Sequence, residues 1–157
     1  MRRVVLLALS VLAVAVYPAV TLAGPEGSDA GTKCVFTTQL LAENEAPHVS
    51  TSEAFGHSQI KIRNDSTVEW NTHIVNHAGE NFVAGHIHRA PVGVAGPVVV
   101  GLFASAGTPD DQIKDTGETG PINGALADDI CANPQSYYVN YHTNPGFPPG
   151  AIRGQLG

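Results

Sequence analysis

Along much of this chain apolar and polar residues alternate with a period of two, the pattern of strands that bury one face. "HSQIKIRN" (57–64) sets Ile60 and Ile62 on one side and Lys61 and Arg63 on the other, and "NDS" after it marks a tight turn. "TVEWNTHIVNH" (67–77) alternates again, with Val68, Trp70 and Ile74 inward and Glu69, Asn71 and His73 outward. "CVFTTQLLA" (34–42), "NFVAGHIHRA" (81–90) and "PVVVGLF" (97–103) predict three more strands, the last two joined by the turn "PVGVAG". "SYYVNYHT" (136–143) and "GAIRGQL" (150–156) close the chain as two strands around the turn "NPGFPPG". The segment "ENEAPHVSTSEAFG" (43–56) reads as a turn-rich connection. "ASAGTPDDQIKDTGETGPING" (104–124) is long and polar, and no strand is expected in it. "ALADDICANP" (125–134) predicts a short helix with Ala125, Leu126 and Ile130 inward and Pro134 ending it. About seven short strands with Gly/Pro turns imply an all-β fold, an antiparallel immunoglobulin-like β-sandwich or barrel with one short helix.

The first 23 residues depart from this pattern. Arg2 and Arg3 precede an apolar run from Val4 to Val16, Pro18 breaks it, and small residues lead to Gly24. This is the layout of a secretory signal cleaved after Ala23. Residues 24–33 read as a flexible leader and 34–157 as one domain, with no later segment of membrane-spanning length. The expected location is secreted, periplasmic or cell-envelope. All 14 acidic residues lie beyond Ala23, whereas two of the eight basic ones lie before it. A chain so acidic, without a basic cluster, is excluded as a nucleic-acid binder. The two cysteines, Cys34 and Cys131, read as a disulfide in an exported chain, and neither belongs to a CxxC motif.

Three segments, taken in order, resemble a known family. "ENEAP" (43–47), "AGHIHRAPVGVAGPVVVGLF" (84–103) and "YYVNYHTNPGFPPGAIRGQL" (137–156) are similar to the CHRD domain, first described as the repeat in chordin and found as a single exported domain in bacteria. The resemblance covers Cys34 to Gly157. Ala90 stands where that family usually has glycine, Ala46 where it has valine, and Ala151 where it has an acidic residue. The resemblance implies a β-sandwich or barrel and no particular chemistry, so function must come from residues.

Strand parity identifies candidates. Ala84, His86 and His88 share a face, as do Tyr138, Asn140 and His142, and on the last strand Arg153 and Gln155 oppose Ile152 and Leu156. The two C-terminal strands should pair across their short connection. If the HIH strand lies beside them, His86, His88 and His142, with Asn140, Arg153 and Gln155 around them, form one polar patch. Two imidazoles at i and i+2 and a third from another strand suit copper or zinc with an open position. The HIH motif is similar to the HxH copper ligands of copper/zinc superoxide dismutases, but the rest of that pattern is absent. Against a metal, Arg153 would repel a cation.

Three readings follow: a non-enzymatic binding module for an unidentified extracytoplasmic protein, with the histidines splayed and exposed; a metal protein, with three nitrogens converging; or a structural component, with the histidines mutually hydrogen-bonded. Other chemistry is thin. His73 and His77 read as solvated and His48 and His57 as loop-associated, and Trp70 belongs to the core. Asp110-Asp111 and Asp128-Asp129 lack the ligand spacing of a calcium loop. No GxSxG, HExxH or phosphate-binding loop is present.

Overall fold

A computed structural model describes residues 31–47 and 50–157. The expected signal, most of the leader and His48 lie outside the described residues. Eight strands form one antiparallel sheet: β1 (Thr32–Leu41), β2 (Phe55–Arg63), β3 (Val68–Val75), β4 (Phe82–Arg89), β5 (Val98–Thr108), β6 (Gln112–Glu118), β7 (Tyr137–Thr143) and β8 (Ile152–Gln155). Their order is β5-β4-β7-β8-β1-β2-β3-β6, which curls into a nearly closed barrel. Among the described residues a single α-helix, α1 (Gly124–Ala132), precedes β7. Among the described residues no helix is long and apolar enough to cross a membrane.

Alternation places Leu40, Ile60, Ile62, Val68, Ile74, Ile87, Val139 and Ile152 inside the barrel, all fully buried. The all-β antiparallel class is the one the periodicity implies, but the strands number eight rather than seven. The extra strand, β6, lies in the segment from which none was expected, and β5 runs on into that segment as well. The reason is Trp70. The inward positions of β6 are Ile113, Asp115 and Gly117, and Trp70 stands directly opposite Gly117. A Cβ at Gly117 would lie 2.4 Å from Trp70 Cζ2, so the indole takes the space a β6 side chain would fill. Asp115 is inward yet satisfied, accepting from Trp70 Nε1 at 2.9 Å and Tyr141 Oη at 2.6 Å. A strand whose inward side is filled by its neighbour carries no hydrophobic alternation of its own.

The helix is corrected in detail. Asn123 caps it, accepting from the Leu126 N–H at 3.2 Å, and Ala127 and Ile130 are its buried residues. Ala125 is exposed, because five residues along a helix from Ile130 it sits about 140° away from that face. Cys131 on α1 is bonded to Cys34 on β1, with Cα atoms 5.8 Å apart across 97 residues of chain. Replacing both cysteines by serine is expected to destabilise the domain by roughly 2–4 kcal/mol, since the unfolded chain regains the entropy of a long loop. Urea unfolding should show a lower midpoint than wild type, and addition of reductant to wild type should reproduce it.

Candidate metal centre

β4, β7 and β8 are neighbours, so the polar residues on their outer side do share one face. His86 pairs with Asn140, which pairs with Arg153; His88 pairs with Tyr138, which pairs with Gln155. His142 follows Asn140 by two residues and sits opposite Ala84. This face is turned away from the hydrophobic core, yet it is largely covered: His88, His142, Asn140 and Arg153 are 7 %, 8 %, 2 % and 1 % exposed, and only His86 and Gln155 are half-buried.

Three loops make the cover, and they contact the face through polar bonds. From the β4–β5 connection, Gly96 offers its carbonyl to His88 Nδ1 at 2.9 Å. From the β7–β8 connection, Pro148 offers its carbonyl to His142 Nδ1 at 3.0 Å. From the segment after β1, Glu45 accepts from Asn140 Nδ2 at 3.4 Å. A carbonyl only accepts, so Nδ1 of His88 and of His142 must carry the proton, and each Nε2 is left with its lone pair. Both of these Nε2 atoms are buried without a partner, as is Nδ1 of His86. The rings gather closely, with centroids 5.0 Å apart for His86 and His142 and 5.6 Å for each of the other two pairs. One ring nitrogen from each histidine lies within 4.8 Å of the other two. The histidines are therefore neither splayed in solvent nor bonded to one another.

Their electrostatics follow from this burial. Desolvation lowers the pKa of all three, assisted at His86 by its neighbour His88 and at His88 by the charge of Arg153; His142 falls to about 4. Neutral imidazoles are the form that ligates a metal. The charge of Arg153 is set back from His88 by one ring: its guanidinium carbon lies 3.5 Å above the Tyr138 ring, and Tyr138 is stacked on His88 at 4.9 Å and 15°. The guanidinium is itself held by the carbonyls of Val94 and Pro91, both at 2.9 Å, and by Gln155 Oε1 at 3.2 Å. Gln155 Nε2 donates to the carbonyls of Ala90 and Gln135. Arg153 and Gln155 thus anchor the β4–β5 loop that holds His88.

A model of the CHRD domain family matches residues 36–156. The chain belongs to the CHRD domain family. No curated protein and no solved structure matches it. In this CHRD domain the three segments that carry the family likeness are the loops and strands that build the covered polar face. Sequence parity also puts Tyr138 on that face, without indicating that its ring would separate Arg153 from His88.

Glu45 is the residue that sequence reasoning misses. It lies in "ENEAP", a turn-rich stretch with no periodicity to orient it; the available signals are a carboxylate among turn residues and the place of that stretch in the family likeness. Burial raises its pKa to about 7 against the opposing pull of Arg153 and Asn140.

The remaining candidates are used locally. His57 lies within β2 rather than a loop, and its ring meets that of His73 edge-on at 5.7 Å. His77 follows β3 in an exposed turn with Nδ1 2.6 Å from Asp111 Oδ1. Asp128 pairs with Lys33, and Asp129 accepts from Arg89, Asn133 and Tyr137.

Proposed function

We propose that this CHRD domain is an exported binding module whose ligand is a transition-metal ion, copper or zinc, held by His86, His88 and His142. The observation that carries the reading is the set of three buried, unpartnered ring nitrogens, two of them oriented by a carbonyl bond from the opposite side of the ring. An unpaired buried acceptor is unfavourable unless something completes it. Metal-bound imidazoles commonly donate their second N–H to a carbonyl, which fixes the tautomer and the aim of the lone pair. Ligands on a tetrahedral ion with metal–nitrogen bonds of 2.0–2.1 Å stand about 3.4 Å apart. Closing from 4.8 Å therefore requires only small ring movements. Three protein ligands leave a coordination position open, and the neutral state of the rings suits binding near neutral pH. The disulfide supports an oxidising, extracytoplasmic setting, and the amino-terminal pattern of residues 1–23 supports export.

The test is metal content. The mature chain, loaded with copper or zinc and dialysed, is expected to retain close to one ion per chain by elemental analysis. The His86→Ala, His88→Ala, His142→Ala triple variant should retain none while remaining folded by circular dichroism. A folded wild type that keeps no metal would overturn the reading.

A specific observation favours a second role for the same face. Val92, Val94 and Val98, on and beside the β4–β5 loop, are 75 %, 49 % and 51 % exposed. Exposed apolar side chains on one loop are available to a protein partner, and contact there would bear on the loop that positions His88.

A further inference from the structure

The histidine cluster is roofed at His88 by the Gly96 carbonyl, at His142 by the Pro148 carbonyl and beyond Asn140 by Glu45. The remaining side is β5. There Val98 stands opposite His88, Gly101 opposite His86, and Ala104 opposite Ala84, which itself pairs with His142. Paired residues share a face, so these three lie on the outer side with the histidines. All three are exposed, and none has a hydrogen-bonding side chain. His88 and His142, more than nine-tenths buried, bring unpartnered Nε2 atoms to the cluster; His86, half-buried, brings an unpartnered Nδ1 and forms its rim toward β5. Gly101 is the residue that needs a reason. Glycine weakens a strand, and where it persists it often marks a close approach. Its φ is not positive, and a Cβ built on it would meet no atom within 4 Å. Gly85 on β4 is the contrast, because a Cβ there would strike Tyr141 at 2.6 Å. Neither backbone nor packing asks for glycine at 101, and its lack of a side chain leaves the space beside His86 open.

We propose that Gly101 keeps the fourth coordination position of the metal accessible, and that a small anion bound through one atom reaches the metal from solution over it. The inference rests on the three-histidine metal reading. A divalent ion held by three neutral imidazoles keeps its full charge, so an anion is favoured over a neutral ligand. No Asp or Glu occurs from Asn81 to Thr108, which takes in β4, its loop and β5, so these elements supply neither a competing ligand nor a repelling charge. Val98, Gly101 and Ala104 offer nothing to bond a second atom of the ligand, so selection is by width. Cβ atoms directly opposite one another in an antiparallel pair stand about 4.5–5.5 Å apart. A longer side chain at 101 would therefore lie beside His86 and close the opening. Gly101 is thus a specificity-determining residue that touches neither the metal nor its ligands.

Copper(II)-loaded protein would be titrated with azide, a slim anion that binds through one nitrogen, while the azide-to-copper charge-transfer absorption and the electron paramagnetic resonance spectrum are followed. Wild type is expected to give a saturable response. Gly101→Leu should keep copper at one per chain and a urea midpoint no lower than wild type, since an exposed strand position gains β-propensity, yet bind azide at least about tenfold more weakly. Gly101→His should take the open position with its own imidazole, retaining copper more tightly and abolishing the azide response; it serves if the leucine variant does not fold. Copper held at one per chain with no azide response in wild type, or with an undiminished response in the folded variants, would overturn this inference alone. Failure of wild type to hold copper at all would overturn the metal reading and this one with it.

Discussion

An Arg153→Met variant is expected to lose roughly 3–5 kcal/mol of folding stability, because three buried neutral acceptors lose their donor at once. Arg153 is 1 % exposed, and its guanidinium satisfies the carbonyls of Pro91 and Val94 and the Oε1 of Gln155. Methionine fills much of the volume and supplies no donor, so these acceptors lose a partner that each had been folded around; every buried acceptor left bare costs about 1–3 kcal/mol. The face of Tyr138 loses its cation as well. Arg153→Lys should recover only part of the loss, because one ammonium cannot span two carbonyls in the planar geometry of the fork. Urea denaturation of the three proteins gives the ordering. Metal retention gives a second readout: the loop from Ala90 to Pro97 carries the Gly96 carbonyl that orients His88, so the methionine variant should hold metal more weakly even where it is folded. A methionine variant as stable as wild type would show that the loop is held by other contacts.

The parts of this site that were legible in the sequence are those governed by strand parity. A residue's side of a strand follows from counting by twos, so His86 with His88, and Asn140 with His142, could be assigned to faces from the letters alone. What counting could not reveal is that the polar side is roofed. Three polar strands read as a solvated face; they are buried because the loops at 43–47, 90–97 and 144–150 fold back over them, and those segments, rich in Gly and Pro, have no period from which an orientation can be inferred. Glu45 escaped for that reason. The strand β6 escaped for a different one: Trp70 reaches across to Gly117, and the apolar group that completes the barrel there is written in β3. Fold and site were obscured by the same circumstance, a space filled by a residue distant in sequence.

Without metal, the domain is expected to be most stable near pH 6.5 and to weaken on both sides, for opposite reasons. On the acid side the groups are the histidines. Their folded pKa values lie below the ordinary 6.5, so the unfolded chain binds protons that the folded one refuses, and stability rises with pH in that interval. The stabilisation is fully present above 6.5 and is lost as pH falls; for His142, whose folded value is about 4, the loss amounts to roughly 3 kcal/mol by pH 4, and His86 and His88 add to it with the same sign. On the alkaline side the group is Glu45. Its folded pKa of about 7 exceeds the ordinary 4.5, so its contribution is fully present below 4.5 and is lost as pH rises through 7, roughly 3 kcal/mol in all, of which about 1 kcal/mol falls above pH 6.5. Between 4.5 and 6.5 the two effects oppose, and three histidines outweigh one carboxyl. Chemical denaturation from pH 4 to 8.5 measures the profile. His142→Gln should flatten the acid limb, whereas Glu45→Gln should remove the alkaline limb and, by lifting its opposition between pH 4.5 and 6.5, steepen the acid one. Copper or zinc at a thousand times its dissociation constant should add about 4 kcal/mol near neutral pH. It should go on protecting the domain down to about pH 5, since a site whose histidines resist protonation yields its metal to acid later than an exposed one. An acid limb that persists unchanged in the His142 variant, or an added metal that shifts no part of the curve, would mean that the cluster is not what titrates.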